Sequence, residues 1–256
     1  MCVLAGFGAG LGIGFAGLSA AVYISPMLVA WLNIPVYDAV GIALASDVLA
    51  SAMSAMTYAA HGNFDMKRGK PLMIIVLIFT VIGSIFAYFV TSYETGNNVL
   101  GYYSIFASLI MGIWFLIKPY APKKEFSISN YTEFRKQIFY FLSAGTGFIC
   151  GFQGTGGGMM LLFILTVVME FDFKPAVGTS VFIMAPTALT GAILHFINLG
   201  GIPNTEVLLL CMFFTTVFAQ VGSFIANKTS QKKLKLAIGI LLTISSLLML
   251  AAKIWL

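Results

Sequence analysis

Two apolar runs in this chain are too long to cross a membrane once. Val3–Ile34 and Ile138–Met169 would each make a helix of about 48 Å at 1.5 Å per residue, against a hydrocarbon core of roughly 30 Å. Each also carries glycines in its middle: Gly12, Gly14 and Gly17 in one, Gly151, Gly154, Gly156, Gly157 and Gly158 in the other. Glycine in a helix interior costs about 1 kcal/mol relative to alanine, so a cluster in mid-run marks a break. Each run therefore reads as a hairpin of two helical arms. Six further runs have single-crossing length: Val36–His61, Pro71–Thr91, Val99–Ile117, Ala176–Asn198, Glu206–Ala226 and Leu236–Leu256. With 59% hydrophobic and 9% charged residues, the composition is that of a multi-pass membrane protein.

The basic residues decide how these runs are threaded. If all eight crossed once, Lys174, Lys228, Lys232, Lys233 and Lys235 would lie opposite the remaining Lys and Arg. If the first and fifth runs instead enter and return on one face, every basic residue except Lys253 shares a side. Cytoplasmic segments carry the Lys/Arg excess, which favours the second threading. It places the chain in the cell inner (plasma) membrane with both termini outside the cytoplasm. The two halves then have opposite orientations: a first membrane repeat at 1–117, a cytoplasmic linker at 118–137 and a second repeat at 138–256. The expected fold is an all-α integral membrane protein of two inverted-topology repeats. Each repeat is a broken re-entrant helical hairpin plus three transmembrane helices. The pI of about 9.1 suits cytoplasmic loops facing anionic lipid headgroups and does not call for nucleic acid.

The halves also match in residues. At an offset of 137, Gly14-Phe15-Ala16-Gly17 falls on Gly151-Phe152-Gln153-Gly154, and Ala39-Val40-Gly41 on Ala176-Val177-Gly178 without a gap. With one added residue Gly62 meets Gly200, and with another Gly83-Ser84 meets Gly222-Ser223. Inverted repeats with broken helices and a site near the midplane are a transporter architecture.

The segments Gly151-Phe152-Gln153-Gly154-Thr155-Gly156-Gly157-Gly158 and Pro175-Ala176-Val177-Gly178-Thr179-Ser180, followed by His195 and Gly200, resemble the signature of the sulfite exporter TauE/SafE family. That resemblance implies a membrane carrier of sulfur oxyanions or organosulfonates such as sulfite or sulfoacetate. The first half departs from the pattern, with Ser19-Ala20-Ala21 in place of a glycine run and Ile42-Ala43 in place of Thr-Ser. The ligand is therefore expected to lean on the second half.

The residues limit how an anion could be held. Both arginines, Arg68 and Arg135, fall in cytoplasmic loops, and no lysine lies well inside a span. The available donors are N–H groups freed at helix breaks, the positive ends of half-helices, and side-chain hydroxyls, amides and imidazoles. The substrate-binding candidates are Gln153, Gly154, Thr155, Gly156, Gly157, Gly158, Thr179, Ser180, His195 and Asn198, with Gly17, Ser19 and Tyr58 from the first half. The bland alternative is that the glycines only let helices pack closely and that His195 makes an interhelical hydrogen bond. Asp47, Ser51, Ser54, Tyr58 and His61 form one stripe on a helix; Ser180, Thr187, Gly191, His195 and Asn198 form the corresponding one. Asp47 is the one acid well inside a span. It could carry a coupling proton or help ligate Na⁺, or it is a structural group bonded to Ser51 or to backbone freed at a break.

The function expected is secondary transport by alternating access, in the direction of export. A negative interior drives an anion outward by about 2.3 kcal/mol per charge per 100 mV. An anion channel, or a proton- or Na⁺-coupled importer of small organic anions, is the alternative. An embedded enzyme is disfavoured: there is no HExxH, His61 and His195 are far apart in sequence, and Cys150 has no evident base. Cys2, Cys150 and Cys211 lack metal-ligand spacing and read as packing residues. No metal, cofactor or nucleic-acid partner is expected; the partners are the small anion and the bilayer. Nothing in the sequence sets an oligomeric state.

Overall fold

The computed structural model describes residues 1–90, 106, 109–110, 112–117, 133–153, 157–202 and 204–255. Most of the expected linker, the whole of 154–156, and the side chains of Gln153, Arg68, Arg135 and Lys253 lie outside the described residues.

Both long runs are interrupted where their glycines cluster. The first is divided into α1 (Cys2–Ala16), a short 3₁₀ turn (Ala20–Val22) and α2 (Ile24–Leu32). Helices α3 (Val36–Ala60) and α4 (Met66–Val90) follow, and residues 112–117 are again helical. The second long run gives α5 (Glu133–Gln153) and α6 (Gly158–Phe163), which continues as a π-helical turn over Ile164–Val168. Then come α7 (Phe173–Leu199), α8 (Thr205–Lys228) and α9 (Gln231–Trp255). The described residues are helical throughout, without strands. Four segments among them are long and apolar enough to cross a membrane: Tyr37–Ala60, Gly69–Phe86, Phe173–Asn198 and Thr205–Lys228. Helix α8 is also well terminated. Asn204 accepts from the Val207 N–H, Glu206 lies in the first turn and Lys228 in the last, each sign matching the nearby helix pole.

The closest packing is built on small residues. A Cβ added to Gly6 would lie 2.6 Å from Phe214 Cβ, and one on Gly10 would lie 2.5 Å from the Thr215 carbonyl. Gly14 meets Ala219 and Ser223 in the same way. The contacts advance together along both chains, so α1 and α8 run parallel, backbone against backbone. This is how small-residue repeats bring helices together where lipid supplies no hydrophobic drive. Helices α4 and α5 make the same kind of pair: Gly147 packs on Val76 and Phe79, Gly151 on Thr80 and Ser84, and Gly83 on Phe148.

Between these pairs lie α3 and α7, antiparallel. Tyr37 at the start of α3 meets His195 near the end of α7, Leu44 meets Gly191, and Tyr58 near the end of α3 meets Gly178. Helix α3 also contacts α8, and α4 contacts α7. At the end shared by the C-terminus of α3 and the N-terminus of α7, polar bonds tie the elements together. Asn63 Nδ2 donates to Asn227 Oδ1 at 2.7 Å, Lys174 Nζ to the Asn227 carbonyl at 2.7 Å, and the Phe173 N–H to Gln231 Oε1 at 2.9 Å. Large apolar side chains such as Ile78 and Ile85 on α4, Leu209 and Phe213 on α8, and Ile240 and Ile244 on α9 are exposed, as suits contact with lipid.

Candidate functional site

The end of α1 and the start of α6 face each other in the buried interior. Helix α1 ends at Gly17, whose left-handed φ of 62° is a conformation that glycine adopts without steric cost. A side chain is excluded there for a second reason, since its Cβ would lie 2.5 Å from Ser180 Oγ on α7. On the other side, Gly157 also has positive φ, 63°. A Cβ on it would collide with Cys150, and one on Gly158 with the Gly17 carbonyl. The break after α1 and the start of α6 therefore touch through bare backbone.

The first break is already filled by an acidic side chain of the chain itself. Ser19, in extended conformation, accepts from the Ala21 N–H at 3.2 Å and so begins the 3₁₀ turn. From the middle of α3, Asp47 inserts its carboxylate into this turn. Ser19 Oγ donates to Oδ2 at 2.5 Å and the Ala20 N–H to Oδ1 at 2.6 Å. Asp47 is wholly buried and Ser19 nearly so. A carboxylate at freed N–H groups on the N-terminal side of a helical arm is the arrangement that the peptide dipoles favour. Ser51, a sequence-based partner for the Asp47 carboxylate, instead donates its hydroxyl to the Asp47 main-chain carbonyl.

The second half has no acid at the corresponding position. At the offset of 137, the counterpart of Asp47 is Met184, which is wholly buried. Its Sδ lies 2.8 Å from the position of a Cβ on Gly158. A thioether sulfur accepts hydrogen bonds only weakly, so Met184 brings bulk to this place but no charge.

The remaining candidates separate into three places. Gly17, Ser19, Asp47, Gly157, Gly158 and Ser180 come together at the centre. Ser180 Oγ donates locally, to the Val177 carbonyl at 2.8 Å. Tyr58 joins from below, its hydroxyl donating to the Gly14 carbonyl at 2.9 Å, while its ring packs on Gly178. Thr179 turns away toward the α3–α4 connection, where its Oγ1 accepts from the Asp65 N–H at 3.2 Å. His195 and Asn198 stand at the other end. The His195 ring stacks on Tyr37 with centroids 4.5 Å apart, its Nδ1 lies 3.0 Å from the Gly191 carbonyl, and Asn198 Nδ2 donates to the Tyr37 hydroxyl at 3.2 Å. Fifteen residues of one helix separate Ser180 from His195, about 22 Å of rise. A single small anion cannot touch both. Gln153 by its side chain, and Gly154, Thr155 and Gly156 entirely, lie outside the described residues.

Sequence reasoning missed two residues here. Met184 was accessible through the same offset that aligned Ala39 with Ala176. Tyr37 gave no signal, being an aromatic residue at a helix start like many that anchor at the membrane surface. Among the described residues no group of three His, Cys, Asp or Glu gathers as a metal site would require.

Comparison with known proteins places this geometry. The chain is 27% identical over 254 residues to the probable membrane transporter protein YdhB of Bacillus subtilis (strain 168), covering 98% of this chain and 99% of that protein. It is 24% identical over 268 residues to the probable membrane transporter protein MJ0441 of Methanocaldococcus jannaschii, covering 98% and 94% respectively. No solved structure matches. The family model described as sulfite exporter TauE/SafE matches residues 2–249. This multi-pass helical membrane protein thus belongs to the sulfite exporter TauE/SafE family of transporters.

Proposed function

We propose that this chain is a secondary transporter that exports small sulfur oxyanions or organosulfonates, such as sulfite or sulfoacetate, by alternating access around a midplane anion site in its second half. The observation that supports the reading is the difference between the two halves at one aligned position. One holds a buried carboxylate on Ser19 and Ala20; the other has Met184 where that carboxylate would come from. A solute with a carboxylate-like group of oxygens is the chemistry that completes the second break. The substrate class comes from family membership, because an amide-lined site accepts sulfite, sulfonate and carboxylate on similar physical grounds.

Two inverted repeats are part of this proposal, as are the boundaries 1–117, 118–137 and 138–256. Three features support them. The parallel pairs α1–α8 and α4–α5 exchange under the offset, α3 and α7 meet as antiparallel counterparts, and the basic residues fall on one side only in the re-entrant threading. The same threading puts the termini outside the cytoplasm. The Asn63–Asn227 end is then cytoplasmic and the Tyr37–His195 end external. In this scheme His195, Asn198 and Thr179 act at the ends of the path, and Gly157, Gly158, Ser180 and the neighbouring Gln153–Gly156 act at its centre.

A proton-coupled carrier is the second reading, and Asp47 is the observation that favours it. Both carboxylate oxygens already face donor hydrogens, an arrangement that suits proton exchange better than Na⁺ ligation.

The test is a thermal-shift titration of purified protein with sulfite, sulfoacetate, thiosulfate and acetate. It is repeated on Met184→Asp, which places a resident carboxylate in the second break. The wild type should be stabilised by a sulfur oxyanion and the variant should not. A ligand that stabilises both proteins equally would remove the second break from the site. Counterflow of the same ligand in proteoliposomes then separates carrier from channel.

A further inference from the structure

We propose that Cys2 and Cys211 are a redox pair, able to form a disulfide that staples α1 to α8. The two side chains are close enough to interact, and neither cysteine is in a disulfide. The helix register requires this meeting independently. Gly6 faces Phe214 and Thr215, Gly10 faces Thr215 to Ala219, and Gly14 faces Ala219 to Ser223. One turn earlier, the parallel pair brings Cys2 beside Cys211. The backbones are close enough for the bond: one turn away, a Cβ on Gly6 would lie only 2.6 Å from Phe214 Cβ and 3.0 Å from the Thr215 nitrogen. A disulfide needs its two Cβ atoms about 3.5–4.5 Å apart.

Packing alone does not ask for sulfur here. By the offsets that relate the halves, Cys2 corresponds to Phe139 and Cys211 to Leu72, both buried apolar residues. Access is available at one side only. Cys211 is fully buried, whereas Cys2 is partly exposed beside the exposed Met1. In the proposed exchange Cys2, the less buried of the two, reacts first and Cys211 acts as the resolving thiol. The Lys/Arg distribution turns this end away from the cytoplasm, toward the side where disulfides persist. The chemistry balances by exchange with a disulfide oxidant. Cys2 attacks it and releases one of its thiols; Cys211 then attacks the mixed disulfide, releasing the second. Two protons and two electrons leave the pair, one S–S bond forms within the chain, and the oxidant ends as two thiols.

The test counts thiols in purified protein held in lipid nanodiscs. Samples are incubated with oxidised glutathione, unfolded, and alkylated with a polyethylene-glycol maleimide that adds visible mass per thiol. The chain has three cysteines, so the reduced protein takes three adducts. After oxidation it should take one, on Cys150, and dithiothreitol should restore three. Cys2→Ser and Cys211→Ser should each take two adducts under both conditions. Cys150→Ser should go from two to none. Three adducts on the oxidised wild type, loss of adducts in either single serine variant, or a band at twice the chain mass would overturn the assignment. The count reads chemistry at α1–α8 alone, so its failure leaves the transport reading untouched.

Discussion

Removing the Asp47 carboxylate should destabilise the fold in a graded way that depends on what replaces it. Asp47→Ala leaves the Ser19 hydroxyl and the Ala20 N–H buried without their acceptors, at 2.5 and 2.6 Å in the native protein. Hydrogen bonds to a charged group contribute about 1.5–3 kcal/mol each, so the loss is on the order of 3–6 kcal/mol. Asp47→Asn behaves differently. Its Oδ1 can still accept from Ala20, and its amide can donate to Ser19 Oγ once that hydroxyl rotates. Both bonds survive without the charge, and neutral bonds are roughly half as strong, so about half of the loss remains. Ser19→Ala should resemble Asp47→Asn, since it deprives a single carboxylate oxygen of its donor. For a chain of this size each kcal/mol moves the melting temperature by about 2–4 °C. Asp47→Ala should therefore melt lower by on the order of 10 °C or more, and the other two by about half as much. The assay is thermal unfolding in one detergent with all four proteins side by side. Coincident curves for wild type and Asp47→Ala would refute the resident-anion argument. Equal loss in Asp47→Asn and Asp47→Ala would show that charge, not hydrogen-bond geometry, is what the break requires.

Two further pairs of substitutions check the α4–α5 packing and the Tyr37–His195 contact by the same melting assay. Gly145 and Gly147 are two residues apart on α5, but a Cβ on Gly145 meets nothing within 4 Å while one on Gly147 would lie 2.8 Å from Phe79 Cβ. Gly145→Ala should therefore be neutral or stabilising by up to about 1 kcal/mol, and Gly147→Ala destabilising by about 1–3 kcal/mol; the reverse order would contradict the α4–α5 register. Tyr37→Phe loses only the bond from Asn198, about 0.6 kcal/mol in a membrane protein. Tyr37→Ala also loses the stack on His195, a further 0.5–1.5 kcal/mol or so, and equal melting of the two variants would mean the stack contributes nothing.

The breaks were legible in the sequence because glycine is costly inside a helix and almost obligatory where φ is positive. Gly17 and Gly157 satisfy both conditions, and the chain interrupts at those places. The size of the central cluster was less legible. Helical periodicity placed Ser180 and His195 on one face of one helix, and they do share it, but a small ligand needs groups at one height as well as on one face. The rise between them carries His195 out to Tyr37. Met184 was hidden for another reason. An apolar residue in an apolar span reads as core, and its meaning appears only once Asp47 is known to fill the opposite break. Asp47 itself stood out at once, as a lone buried acid must, and backbone freed at a break was one of the two partners expected for it, which the Ala20 N–H supplies. Ser51, one turn along the same helix, was the other, and Ser19 was not foreseen as a partner of Asp47. The actual donors to its carboxyl oxygens come from a 3₁₀ turn and its cap, whose existence depends on how α1 ends.

The contact between the breaks gives the asymmetry a mechanical consequence. In an apolar interior, freed N–H groups must be satisfied, since leaving one bare costs at least about 1–3 kcal/mol. At the first break the chain meets this demand with its own carboxylate, so that break has no reason to open for a solute. At the aligned position of the second half Met184 supplies no such acceptor. Gly158 rests against the Gly17 carbonyl, and Gly17 is two residues from Ser19, which holds Asp47. Close-packed backbone does not compress. Any shift of the α6 terminus on taking up an anion is therefore passed to the Gly17–Ser19 segment, or α6 must withdraw from it. On the proposed reading the Asp47-filled turn is the fixed stop against which the second half works, which is why the two halves differ at the aligned pair Asp47 and Met184.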